Sequence, residues 1–301
     1  MDEKRASFTA TLMAYYRAYH AMHDNPKIFD DSLACHLFTE DERLFFENAW
    51  SQILSAVSLP DRAAAIARHM QTITPGPSMT LSRSRYSEEI LDKAVGQGVR
   101  QYVILGAGFD TFAFRRPEML EKLQVFEVDH PVTQAFKRQR IADAGWKLPA
   151  QLHFVPVDFE QESLAEVLTR SSYNPQALSF FSWLGVTYYL TRDAIFTTLH
   201  DIANIVPAGS AIIFDYLDTD AFVPEKAAER VKITIRDARQ NAGEPMITGF
   251  DPSSLAADLA RLGLRLQEDL SPTDIQELYF RERKDGYHAC EHLHFAWVMV
   301  E

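Results

Sequence analysis

Three apolar runs of this 301-residue chain end on residues able to hold a polar ligand. Residues 102–105 lead into Gly106-Ala107-Gly108-Phe109-Asp110-Thr111, 125–128 end on Asp129, and 152–157 end on Asp158 followed by Phe159. A glycine-rich turn after a strand lets a ligand approach the backbone, because no Cβ stands in the way. An acid at the tip of the following strand can accept both hydroxyls of a ribose. Asp129 fits that position, and Glu127, two residues earlier, sits deeper on the same face. Asp158 is placed to take an adenine amino group, with Phe159 flanking the ring.

A dinucleotide fingerprint calls for a third glycine at position 111, where pyrophosphate docks on a helix N-terminus. Here 111 is Thr and 110 is Asp. A carboxylate at that place repels pyrophosphate and suits a ligand with a positive end, such as a sulfonium amino acid. The residues therefore predict S-adenosylmethionine as cofactor, with its product S-adenosylhomocysteine. An NAD-dependent oxidoreductase is the rival that they disfavour.

The elements that must hold these residues show in the patterning. Short apolar runs at 102–105, 125–128, 152–157, 178–183, 211–216, 264–267 and 294–300 alternate, over the first five, with helical stretches near 111–122, 132–144, 162–169 and 191–204. That alternation predicts an α/β fold, a doubly wound and mostly parallel sheet with right-handed crossovers. Residues 1–95 read as a helical cover or lid and 96–301 as the ligand-binding domain, with 219–250 a helical insertion after the fifth strand. Within the cover, Leu12, Tyr15, Tyr16 and Tyr19 share one face of a helix over 11–23. Asp30-Asp31-Ser32 offers N-cap chemistry for a helix through Phe38. A further helix is expected over 61–70, a sharp break at Thr74-Pro75-Gly76-Pro77, and a helix over 87–96.

The sequence resembles the leucine carboxyl methyltransferase family, especially its bacterial small-molecule O-methyltransferase-like branch. The resemblance rests on Asp30-Asp31-Ser32-Leu33-Ala34, Ser82-Arg83-Ser84-Arg85-Tyr86, residues 103–111, Phe126-Glu127-Val128-Asp129-His130-Pro131, residues 155–159, and Trp183-Leu184-Gly185-Val186-Thr187, in family order over 20–217. It implies a seven-stranded class I methyltransferase sheet, Rossmann-like, under an N-terminal helical cover. It also implies that Arg83, or Arg85, pairs with the methionine carboxylate of the cofactor, a task that suits a bidentate guanidinium. The family usually places Glu after the fourth-strand Trp, near the methionine end of the cofactor; this chain has Leu184. A homologue that binds the cofactor without turnover is the alternative Leu184 supports.

Methyl transfer from a sulfonium is an in-line displacement, so alignment in a dry pocket does most of the work. A carboxylate acceptor needs no base, whereas a hydroxyl benefits from one. The expected activity is O-methylation of a carboxylate or hydroxyl on a small molecule, with no catalytic dyad in view. Candidates for lining the acceptor pocket are Tyr15, Tyr16 and Tyr19 in the cover, Tyr188 and Tyr189 after the fourth strand, and Tyr216 at the end of the fifth. His288, His292 and His294 cluster near the last strand, where His292 and His294 share a face, but no third ligand of suitable spacing accompanies them, so no metal is expected.

The net charge of −12 and the lack of a Lys/Arg run argue against nucleic acid as a partner. Cys35 and Cys290 stand far apart and fit a reducing compartment. No apolar run approaches a membrane span and the N-terminus lacks a secretory signal, so a soluble, cytoplasmic protein is expected.

Overall fold

The structure, a computed structural model, describes residues 7–54, 62–158, 162–242 and 244–301. Among them, seven strands form one sheet: β1 (Gln101–Leu105), β2 (Gln124–Asp129), β3 (Leu152–Pro156), β4 (Ser179–Trp183), β5 (Ala211–Leu217), β6 (Leu264–Leu270) and β7 (Leu293–Val300). Their order is β3-β2-β1-β4-β5-β7-β6, and β7 alone runs antiparallel to its neighbours. Every apolar run singled out in the sequence forms a strand. Central β1 and β4 are buried along their whole length, as a sheet covered on both faces requires.

The helices are α1 (Phe8–His23), α2 (Glu40–Leu54), α3 (Arg62–Arg68), α4 (Gly76–Gly96), α5 (Phe112–Arg115), α6 (Pro131–Asp143), α7 (Leu164–Thr169), α8 (Arg192–Ile205), α9 (Glu229–Asp237), α10 (Pro252–Ala260) and α11 (Pro272–Ile275). One face of the sheet packs Tyr102, Ile104, Val125 and Ile213 under Leu81, Ile90 and Leu91 of α4. The other packs Val103, Phe126, Phe181 and Phe214 under Ile195, Leu199 and Ile202 of α8. The strand order reverses between β1 and β4, which opens a crevice at the carboxyl ends of these strands.

Two local expectations are corrected. The helix expected over 87–96 begins at Gly76 and runs 21 residues, while the expected break falls at Thr74, extended between the helical turn ending at Ile73 and the start of α4. Proline fits the first helical turn, where its missing N–H is not needed and its fixed φ is already helical. Within α4 the Ser82 and Thr80 hydroxyls donate to the carbonyls of Ser78 and Gly76, four residues earlier. The helix expected from Asp30 to Phe38 is a short 3-10 turn, Ser32–His36, capped by Asp31. The stretch after β5 carries the turn Thr219–Phe222 and then α9. No helix among the described residues is long and apolar enough to cross a membrane.

Candidate functional site

The turn after β1 adopts a conformation that depends on glycine. Gly106 and Gly108 have φ of +67° and +50°, and a Cβ on Gly106 would lie 2.5 Å from Val186 Cγ2. The Gly106 N–H donates to Val128 O at 2.9 Å, tying the turn to β2. Asp129, at the tip of β2, accepts from the Gly108 N–H through Oδ2 and from the His130 N–H at 2.6 Å through Oδ1. Burial raises its pKa above the ordinary carboxylate value, against the pull of those two N–H donors. Asp110 Oδ1 accepts the Phe112 N–H at 2.7 Å, which fixes the start of α5.

These groups line a cleft of about 570 Å³ together with Asp158, Leu184, Tyr189 and Arg83. The volume is in the range of small-molecule sites. Arg83 comes from the middle of α4. It is buried, and its Nη1 donates to the Tyr188 hydroxyl at 2.8 Å and to Asp215 Oδ2 at 3.0 Å. Burial works against the guanidinium charge, but Tyr188 and Asp215 more than offset it and hold the pKa above its ordinary value. The other oxygen of Asp215 accepts the Gly185 N–H at 2.6 Å. Gly185 has φ of +74°, and a Cβ there would run into the guanidinium. Arg85 lies outside this arrangement and pairs with Glu89 at 2.8 Å.

The N-terminal helices reach the cleft through α1. Arg17 donates to Asp31 at 2.8 Å and to Phe109 O at 2.6 Å, while the Thr111 hydroxyl donates to Asp31 at 2.7 Å. One buried carboxylate thus joins α1, the 3-10 turn at 32–36 and the glycine-rich turn. Ala10 closes over Gly108, 3.3 Å from where its Cβ would stand. From the segment after α9, Glu244 enters the same cleft and accepts the Thr9 hydroxyl at 2.7 Å.

The structure thus brings together Arg83, Gly106, Ala107, Gly108, Asp110, Asp129, Asp158 and Leu184. Phe159 lies outside the described residues. Of the acceptor-pocket candidates, Tyr189 lines the cleft, while Tyr188 stands behind it on Arg83. Tyr16 is buried against Trp50, with ring centroids 6.0 Å apart, and Tyr19 stacks on His23 at 4.3 Å; both sit among the N-terminal helices. Tyr216 donates to Asp269 at 2.8 Å and stacks on His294, in the core of the opposite sheet face. His292 bridges Asp218 and the Ala228 N–H, and His294 lies between Asp218 and Asp269. No group of three or more His, Cys, Asp or Glu is placed to hold a metal among the described residues.

Sequence reasoning missed Asp215, Arg17 and Glu244. Asp215 had a legible signal, since a lone acid inside the apolar run 211–217 must find a partner when the strand is buried. Arg17 and Glu244 had none.

A model of the family described as "Leucine carboxyl methyltransferase" matches residues 10–203. A Bacillus subtilis protein, named as a candidate S-adenosyl-L-methionine-dependent methyltransferase YktD, is 38% identical over 98% of each chain. A Mycolicibacterium paratuberculosis protein, named as a candidate methyltransferase of the same cofactor, is 27% identical over 92% of this chain and 78% of its own. Among solved structures, a candidate methyltransferase from Thermobifida fusca aligns with TM-score 0.55 at 15% identity, over 95% of this chain and 94% of its own. A DUF574 family protein from Streptomyces avermitilis aligns with TM-score 0.54 at 12% identity, over 95% and 97%. The two structures speak for the fold alone.

Proposed function

Because the chain belongs to the leucine carboxyl methyltransferase family, it is an S-adenosylmethionine-dependent methyltransferase, and we propose that it methylates an oxygen, carboxylate or hydroxyl, of a small molecule. The observation that carries this reading is the convergence of one glycine-rich turn, one strand-tip acid and one buried arginine on a single cleft. The fit to the cofactor rests on the cradle itself, since the positive φ of Gly106 and Gly108 leaves backbone where side chains would otherwise stand. When bound, the cofactor supplies an electrophilic methyl on a sulfonium.

In this reading Gly106, Ala107 and Gly108 receive the body of the cofactor, and Asp129 accepts the ribose hydroxyls. Asp158 faces the adenine. Arg83, pre-set by Asp215 and Tyr188, takes the methionine carboxylate, and Asp110 offsets the ammonium beside the apolar Leu184. Two oriented N–H donors already hold Asp129 in place, so little is lost in ordering it on binding. The acceptor enters beneath α1, whose Ala10 and Met13 line the cleft. Closing that side excludes water, which an in-line displacement needs.

The test is methyl-labelled cofactor incubated with the protein and separated low-molecular-mass and protein fractions of a cell extract. Label in an oxygen-linked methyl of a small molecule is the expected result. Label confined to protein would refute the reading, and binding without transfer would favour a non-catalytic role.

A further inference from the structure

We infer that Glu244 is the general base of the reaction and that the acceptor is a neutral hydroxyl, such as a phenol, instead of a carboxylate. This rests on the methyltransferase reading of the cleft and narrows its acceptor. Five acidic side chains line the cleft: Glu88, Asp110, Asp129, Asp158 and Glu244. Glu88 is held by Arg115 and Arg116, and Asp110 and Asp129 accept the N–H groups of their own loops. Asp158 follows β3 by two residues, at the carboxyl edge of the sheet that the cofactor reading assigns to the adenine. Of the five, Glu244 alone comes from the segment after α9.

Its setting suits proton transfer. The Thr9 hydroxyl donates to Oε2 at 2.7 Å and fixes the carboxylate, and Oε1 takes part in no hydrogen bond among the described residues. The adjoining wall is Met13, Leu190 and the Tyr189 ring, which offers an apolar body a place to lie. The imidazole that lines the cleft, His130, accepts the Val132 N–H through Nδ1 beside Asp129, at the ribose end. An anionic acceptor beside Glu244 would meet a like charge at close range. An ammonium acceptor would be held there in its protonated form, which has no lone pair to offer. A neutral hydroxyl has neither defect. As its oxygen forms the bond to the methyl carbon, the carbon–sulfur bond breaks with its electron pair going to sulfur. The hydroxyl proton passes to Glu244 Oε1, and a neutral thioether leaves.

Glu244→Gln keeps an acceptor for Thr9 and removes the charge and the basicity. The probes are 4-phenylphenol and 4-phenylbenzoate, titrated into the S-adenosylhomocysteine complex and assayed as methyl acceptors. The wild type is expected to bind and methylate the phenol and to bind the benzoate at least tenfold more weakly. In Glu244→Gln, kcat on the phenol should fall about 100-fold or more, with KM for the cofactor within twofold. The affinity for benzoate should rise about tenfold. Benzoate affinity unchanged by the substitution, benzoate as the better acceptor of the wild type, or no binding of either probe to either protein would overturn the inference. Failure of the wild type to bind S-adenosylhomocysteine at all would instead remove the reading beneath it.

Discussion

Arg83 on α4 and Asp215 on β5 are 132 residues apart in sequence, yet Nη1 and Oδ2 lie 3.0 Å apart beside the cleft that Arg83 lines. The pair is buried, and Tyr188 and the Gly185 N–H complete its hydrogen bonds. It joins the N-terminal helices to the sheet and aims a guanidinium edge at the cleft. Removing one partner of a buried pair leaves the other charge uncompensated. Asp215→Ala is therefore expected to destabilise the protein by about 3–5 kcal/mol and to weaken S-adenosylhomocysteine binding, as urea unfolding and calorimetry would register. A variant with native stability and native affinity would show that the pair positions nothing.

A second buried pair lies behind Asp129. Lys137 Nζ is 2.5 Å from Glu127 Oε2, and both side chains are sealed from solvent. Burial raises the Glu127 pKa to about 7, with Asp110 and Asp129 adding to the rise and Lys137 opposing it. The folded state thus binds more protons than the unfolded one between the ordinary carboxylate range and pH 7. Glu127 therefore contributes most below that window, and its contribution is lost as pH rises towards 7. Glu127→Gln should flatten the change in urea midpoint between pH 5 and 8. Lys137→Met should cost about 3–5 kcal/mol and steepen that change. Equal slopes in wild type and Glu127→Gln would exclude this origin.

The strands were legible because buried parallel strands must be apolar along their length, and the glycine-rich turn because its geometry admits few alternatives. Residues joined across the fold were not. Arg17, Asp31 and Thr111 are scattered in sequence, and only the packing of α1 on the glycine-rich turn makes them one network. The start of α4 was placed too late because Pro75-Gly76-Pro77 marks a break, which Thr74 makes, and also suits the first turn of the next helix. Tyr216 drew attention as an aromatic at a strand tip, but alternation along β5 turns it away from the cleft.

Leu184 is half-buried at the cleft and packs against the core beneath α4. A carboxylate there would be set among apolar neighbours in a cleft that already holds Asp110. Leu184→Glu is expected to lower the melting temperature by roughly 2–6 °C, the equivalent of placing a poorly paired polar group in that setting. A higher melting temperature with tighter cofactor binding would show that the site still accommodates the charge.

Calorimetric titration tests the central claim, that the turn at 106–108 and Asp129 form a site for S-adenosylmethionine, most directly. The account predicts that S-adenosylhomocysteine binds the wild type with a dissociation constant on the order of micromolar or below, a typical small-ligand strength. NAD should give no heat of binding. Asp129→Ala should weaken S-adenosylhomocysteine by about 1–3 kcal/mol, the loss of one partner of buried hydrogen bonds, with its unfolding transition preserved. NAD bound and S-adenosylhomocysteine ignored, or an Asp129→Ala variant with native affinity, would contradict it.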